Sequence, residues 1–358
     1  MRIVQLLTTL SFGDAVGNDT LAIRQMLEDM GCETEVYAES IDSRLPAGCA
    51  RPFREMGELK PEDILIYHGS TGTPLNGLIP RMGGKKVMIY HNITPSSFFM
   101  GYSPRSYLLT EQGYREISAL KDTFDRCIAD SKYNRQDLLK MGYSCPIDVC
   151  PIMIPFRDYD REPDEAVMAR YRSDGWTNLL FVGRIAPNKR QEDVIKAFCC
   201  YHRYYNPKSR LFLVGNASGM EAYQEQLEQY AKTLGVAGHV LFSGHISFRS
   251  ILAYYHLADA FVCMSEHEGF CVPVVEAMYF GVPIVAYAAA AVPDTLGGGG
   301  LLLQEKDPLL AAAMIDRVVR DGQLRAYLRE KQKEKLREYD HGAVRKQMKE
   351  ILDKVIAE

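Results

Sequence analysis

The chain has 358 residues, more than one hydrophobic core ordinarily serves, so two domains are expected. Hydrophobic residues make up 47% and charged residues 25%, the balance of an ordinary water-soluble globular protein. Lys and Arg number 42 against 46 acidic residues, a net charge of −4, which argues against bulk attraction for nucleic acid.

No membrane-length apolar run occurs and no secretory pattern opens the sequence, so a cytoplasmic location is expected. The nine cysteines fit that compartment. Cys127, Cys199 and Cys263 lie in apolar contexts, and Cys145 and Cys150 have no partner pair, so all read as free thiols. The eight histidines show no two on one helix face at metal-ligand spacing, and neither a structural nor a catalytic zinc is expected.

In chain order, residues 1–10 read as a buried strand leading through Ser11 to Asp19 into a helix with apolar Ile23, Met26, Leu27 and Met30, capped by Asn18 or Asp19 and ended by Gly31. Short apolar runs at 34–38, 64–68 and 87–91 read as strands, two of them ending in His68 and His91. A lone histidine is commonly a satisfied hydrogen-bonding residue. The carboxyl ends of adjacent parallel strands converge on one crevice, however, and that placement makes both candidates. The aromatic stretch 97–102 fits core, an acceptor-facing surface or a membrane-leaning one. A helix at 107–120, a strand at 127–130, a helix at 132–141 and a strand at 147–150 complete this half.

Residues 151–163, with Pro151, Pro155 and Pro163 among charges, read as a rigid linker. Its Asp158-Tyr159-Asp160 matches an Asp-x-Asp metal motif formally but lacks the buried strand that motif follows. Beyond it, apolar strands at 179–182, 211–214 and 240–242 alternate with helices at 191–202, 220–234 and 248–257, as when helices cover both faces of a parallel sheet. The first of these strands runs into Gly183-Arg184-Ile185-Ala186-Pro187-Asn188-Lys189. The next two end at Gly215-Asn216 and Ser243-Gly244-His245. Residues 292–300, with four consecutive glycines, read as a mobile loop, and 309–319 and 324–336 as amphipathic helices. In 341–358, Val344, Met348, Ile351, Leu352 and Val355 share one helix face.

The organising stretch is Ser265 to Tyr287. A buried strand at 260–263 enters a polar loop holding Glu268, Gly269 and Phe270, and Pro273 then suits the first turn of a helix. Glu276 follows eight residues after Glu268, Gly281 ends the helix, and a strand begins at Ile284. Helix N-termini at such loops favour anions. This Glu-x7-Glu stretch, with Gly-Arg-x4-Lys at 183–189, resembles the signature of retaining glycosyltransferases of the GT-B fold, in particular family four.

The resemblance implies an α/β architecture of two Rossmann-like doubly wound domains facing a central cleft. Residues 1–157 would bind acceptor, 158–340 would bind the nucleotide-sugar donor, and the helix 341–358 would cross back to the first domain. Glu268 would contact the donor sugar and Glu276 the ribose hydroxyls, while Arg184 and Lys189 grip the diphosphate. Gly13, Gly183, Gly215, Gly244, His245, Gly269 and Phe270 would border the donor, and His91 would hydrogen-bond the transferring sugar. Asp14, Asn18 and His68 would face the acceptor. The implied reaction moves a hexose from a GDP- or UDP-sugar to a saccharide or lipid-linked acceptor, with no cofactor and no metal. It would serve cell-surface polysaccharide or glycolipid synthesis, with membrane contact at the inner face left open. A nucleotide-sugar epimerase and a non-catalytic nucleotide-sugar-binding protein are the alternatives. A dehydrogenase is disfavoured, since no Gly-x-Gly-x-x-Gly follows the first strand.

Overall fold

The computed structural model describes residues 1–357. They form two compact units. The first comprises Met1–Ser97, Arg105–Phe156 and the residues from Glu338, the second Phe98–Pro104 and Arg157–Arg337.

In the first unit, β1 (Arg2–Leu10), α1 (Ala15–Asp29), β2 (Glu33–Ile41), β3 (Arg51–Pro52), β4 (Ile64–Gly69) and β5 (Lys85–Tyr90) precede α2 (Pro104–Ala119), β6 (Arg126–Ala129), α3 (Lys132–Lys140) and β7 (Ile147–Val149). The strands make one parallel sheet in the order β3-β2-β1-β4-β5-β6-β7, so strand order reverses between β1 and β4. The expectation that Asn18 or Asp19 caps α1 is corrected. Asp14 is the cap, its carboxylate accepting from the Gly17 amide at 2.5 Å, while Asp19 is buried within the helix.

In the second unit, α4 (Phe156–Tyr159), α5 (Glu165–Tyr171), β8 (Thr177–Val182), α6 (Gln191–Tyr204), β9 (Ser209–Val214), α7 (Glu221–Thr233), β10 (Val240–Phe242) and α8 (Phe248–Leu257) come first. Then follow β11 (Ala260–Cys263), α9 (Val272–Tyr279), β12 (Ile284–Tyr287), α10 (Val292–Leu296), β13 (Leu301–Leu303), α11 (Pro308–Arg320) and α12 (Gly322–Tyr339). The order is β10-β9-β8-β11-β12-β13, all parallel, with the reversal between β8 and β11. In open parallel sheets ligands bind at such reversals, beyond the carboxyl ends of the strands.

The last helix, α13 (His341–Ala357), buries Val344, Met348, Ile351, Leu352 and Val355 in one cluster with Ile3, Ile64, Val87 and Ile128 of the first sheet.

Two further readings change. Residues 151–163 are not simply a linker, because α4 starts there and Tyr159 is buried against Phe248, Tyr279 and Phe280. Residues 292–300 are a helical turn and a tight glycine segment rather than a mobile loop. A Cβ on Gly300 would lie 2.7 Å from the Ile284 carbonyl oxygen, and Gln332 donates to the Val282 and Gly299 carbonyls. The aromatic stretch is also partly resolved: Phe98 tilts against His267, and Tyr102 meets Tyr223 edge-on. Among the described residues, no helix is long and apolar enough to cross a membrane.

Candidate active site

The site in the second unit grows from the loops after β8 and β11, which flank the reversal. Asn188 ties them together: its side-chain amide donates to the His267 carbonyl at 3.0 Å, and its own carbonyl accepts from the Glu266 amide at 2.9 Å. Lys189 then reaches across to Glu268, its Nζ lying 2.6 Å from both carboxylate oxygens. The pair is largely buried, with side-chain exposures of 19% for Lys189 and 8% for Glu268. Burial works against the ammonium, yet the adjoining carboxylate holds the Lys189 pKa above the ordinary lysine value. A second ionic lattice props the same loops, with Arg190 on Glu192 and Glu266 and Lys306 on Asp193 and Glu266.

Arg184 projects from the β8 loop and donates to the Ser218 carbonyl at 3.0 Å. Gly183, Gly215 and Gly244 end β8, β9 and β10, and Gly215 and Gly244 form an isolated bridge. Gly215 is required sterically, because a Cβ there would fall 2.0 Å from the Gly183 carbonyl oxygen. His245 follows on an exposed turn.

The β11 loop enters α9 through Cys271, whose φ of +77° precedes Pro273 in the first turn of the helix. That start carries no acidic residue, unlike α6, whose first turn holds Glu192 and Asp193. The α9 dipole is therefore unopposed locally and suits an anion. The elements read as mobile instead pin this loop: the Ala291 amide donates to the Glu268 carbonyl at 3.3 Å and Thr295 Oγ1 to the Phe270 carbonyl at 2.5 Å. Phe270 itself is buried, so its ring anchors the loop; Gly269 is partly exposed.

Glu276 stands in the second turn of α9. Its two oxygens accept from Tyr159 at 2.9 Å and Tyr255 at 2.7 Å. Burial lifts its pKa, and the two hydroxyls oppose that rise. Tyr159, Tyr255 and Asn188 were not singled out from sequence. Asn188 lies inside the Gly-Arg-x4-Lys element, and Tyr159 is one of two aromatics, with Phe156, in a charged, proline-bounded run.

In the first unit, Gly13 and Asp14 form the turn after β1 with Asn18 in the helix that follows, while His68 ends β4 and His91 follows β5. The expectation that His68 faces an acceptor is corrected: it is fully buried, Nδ1 2.9 Å from His91 Nε2 and Nε2 3.0 Å from Gln5 Oε1. The His91 ring is equally enclosed, since its Nδ1 lies 2.9 Å from Asp130 Oδ2 and its side chain is 1% exposed. Neither ring nitrogen of His91 is left to meet a sugar. Sequence spacing also hid two groupings of metal-ligand type, Asp19 with His68 and His91, and Cys263 with Glu268 and Cys271, each with ligand atoms within 4.8 Å of one another. In each the groups already satisfy one another or a neighbour, His68 on His91 and Glu268 on Lys189.

Residues 171–335 match the family described as glycosyl transferases group 1. The chain is 24% identical to the O-antigen chain mannosyltransferase B of Escherichia coli over 264 residues, 72% of this chain but 65% of that protein. It is 30% identical to a D-inositol 3-phosphate glycosyltransferase of Frankia alni over 369 residues, covering 88% of this chain and 89% of the relative. The fold matches sucrose-phosphate synthase from Thermosynechococcus elongatus with a TM-score of 0.76 at 17% identity, over 100% of both chains, which makes the two parallel-sheet units a GT-B architecture. With a relative at that identity matched along most of its length, the chain belongs to the glycosyl transferases group 1 family.

Proposed function

We propose that this chain is a retaining transferase of family four that moves a hexose from a GDP- or UDP-sugar to a hydroxyl of a saccharide or lipid-linked acceptor. The observation that carries the reading is the Lys189–Glu268 pair at the strand-order reversal of the second unit, with Arg184 and the α9 start on the same loops. Names of the relatives speak for transfer over epimerisation or binding alone.

Breaking the sugar–phosphate bond places positive charge on the anomeric carbon and negative charge on the departing diphosphate. Arg184 offers a fork of donors and Lys189 a mobile point charge to the latter, with the α9 dipole adding to both. These groups do the work a divalent cation would do, so no metal requirement is expected. Without donor, Glu268 neutralises Lys189. When the diphosphate draws on the ammonium, the Glu268 carboxylate becomes available to sugar hydroxyls and to charge developing on the ring. Among the described residues no second carboxylate is paired with Glu268 as in a retaining glycosidase, so a covalent intermediate is not invoked; the departing oxygen takes the acceptor proton on the same face. Glu276, braced by two tyrosines, retains lone pairs for ribose hydroxyls. Cell-surface polysaccharide or glycolipid assembly is the proposed setting.

The test is a screen of GDP- and UDP-sugars by thermal shift, followed by product analysis in excess EDTA. A donor at 100 times its dissociation constant should add about 2.7 kcal/mol of stability. Stabilisation by one donor class, with slow release of nucleotide diphosphate that survives EDTA, is expected. No response to any nucleotide sugar, or activity lost in EDTA and restored by magnesium, overturns the reading.

A further inference from the structure

Two thiols 18 residues apart in sequence meet in the first unit. The expectation that Cys145 lacks a partner is corrected: it lies in the loop leading into β7, its sulfur 3.6 Å from that of Cys127 on β6, and both are free thiols. The strand ladder explains the meeting. Cys127 stands opposite Ile147 in parallel register and its amide donates to the Pro146 carbonyl at 2.9 Å, which leaves Cys145 beside it.

The two differ in their surroundings. Cys127 is fully buried in a cluster with Met88, Leu138 and Tyr143, and its strand is paired on both sides, with β5 and β7. Cys145 packs against that cluster but stays partly exposed, on the short loop between Gly142 and Pro146. A disulfide of about 2 Å requires the sulfurs to close by about 1.5 Å. The loop can supply that movement more readily than a strand paired on both sides. The hydrogen bond from Cys127 lowers the Cys145 pKa, with burial and Asp125 opposing and Arg126 assisting, while the same bond and burial push Cys127 up. Cys145 is thus the accessible, thiolate-forming member of the pair.

We infer that Cys127 and Cys145 are a reversible oxidation site, in which a peroxide oxidises Cys145, Cys127 resolves it, and the resulting disulfide staples the edge strand β7 to β6. In the first step the Cys145 thiolate attacks one peroxide oxygen and the O–O bond breaks. The sulfur becomes a sulfenic acid, and the hydroxide released takes up the proton the thiol gave away. In the second step the Cys127 sulfur bonds to the Cys145 sulfur, the S–O bond breaks, and the Cys127 proton leaves with that hydroxide as water. The two thiols lose two electrons and the peroxide gains them. A dithiol reductant reverses the change.

The consequence is local. β7 is the edge of its sheet, short and partly exposed, and α13 rests on the same segment through Gln347, which donates to the Val149 carbonyl at 2.5 Å. A covalent link to a buried strand holds that edge, and it closes a loop spanning α3, which removes freedom from the unfolded chain.

The test treats the whole native protein with hydrogen peroxide, blocks remaining thiols with N-ethylmaleimide and maps the peptides. The first product should be the Cys127–Cys145 disulfide, two hydrogens lighter than the reduced pair and lost again in dithiothreitol. Cys127→Ser should stop at a Cys145 sulfenic acid that dimedone traps, and Cys145→Ser should slow oxidation of Cys127 by about tenfold or more. Oxidation should raise the melting temperature of the wild type by about 5 °C or more, and of neither variant. A first disulfide elsewhere, including at Cys263 and Cys271, which also lie close together, overturns the inference, as does unchanged oxidation of Cys127 in Cys145→Ser. An oxidised wild type that melts no higher overturns the staple. If Cys127→Ser does not fold, the wild-type map and Cys145→Ser decide. No step involves a nucleotide or a sugar, so the outcome stands apart from the transferase reading.

Discussion

The two sheets share a plan and differ at their carboxyl edges. Both are parallel and reverse strand order beside their first strand, at β1/β4 and at β8/β11. In the first unit the edge ends in a sealed chain, with the side chains of His68, His91 and Asp130 all but unexposed. In the second the loops carry the Lys189–Glu268 pair, whose ammonium keeps some access to solvent. A sealed polar chain has no partner to exchange, whereas a largely buried pair with a partly accessible ammonium can exchange one. The same topology therefore carries a closed polar chain at one edge and a partly accessible ion pair at the other.

The largest effect should come from breaking the exchangeable pair. Lys189→Ala or Glu268→Gln should lower kcat by about 10²–10³-fold, the loss of one preorganised group in a dry site. Lys189→Ala should also cost roughly 3–5 kcal/mol by leaving Glu268 buried without a cation. The double variant Lys189→Met with Glu268→Gln should regain stability in urea titration without regaining rate; additive losses would mean the two residues do not act as a pair.

Next comes the steric requirement at the second edge. Gly215→Ala drives a methyl into the Gly183 carbonyl, so about 2–3 kcal/mol of stability and donor-dependent thermal shift should both be lost. Gly244→Ala, where a Cβ meets open space, should cost about 1 kcal/mol. Equal effects at the two positions would dismiss the close approach as the cause.

Tyr159→Phe removes one hydrogen bond to Glu276 and should cost about 1.5 kcal/mol. If Glu276 binds the donor as proposed, the variant should raise donor KM with little change in kcat; a selective fall in kcat would place Tyr159 nearer the chemistry.

The smallest effect separates the units by pH. Burial pushes the Asp19 carboxyl up to about 7, above its ordinary value, so its contribution is full under acid conditions and lost as pH rises through 7. His91 is also raised, so its share is complete below about pH 6.5 and is lost as pH rises from there through its folded value. Melting of the wild type should fall by roughly 2–4 °C between pH 6 and 8.5, and Asp19→Asn should flatten that fall. A melting temperature that rises over this range would reverse the assigned direction.

The alternation of apolar strands and amphipathic helices was legible because the central strands, such as β4 and β9, are buried on both faces. The Glu268 and Lys189 motif was legible because loop residues of this kind are close in sequence to the strands that position them. The partners were not. Gln5, His68, His91 and Asp130 come from four different strands or strand ends, and nothing in local spacing announces that their side chains meet. Tyr159 looked like linker because Pro and charge dominate its neighbours, yet its ring is buried against Phe248, Tyr279 and Phe280. The glycines at 297–300 suggested freedom, but at Gly299 and Gly300 the close approach of Gln332 and of the Ile284 carbonyl took it away.

The placement of α13 bears on the order of assembly during synthesis. Its five apolar side chains complete the core of the unit whose strands leave the ribosome first. That unit must hold an unfinished apolar surface while some two hundred later residues are made, and the second unit, nearly continuous in sequence, has its parts earlier. Nascent chains halted before His341 should hence draw chaperones to the β1–β4 face, and folding should mature in the reverse of the order in which the halves emerge.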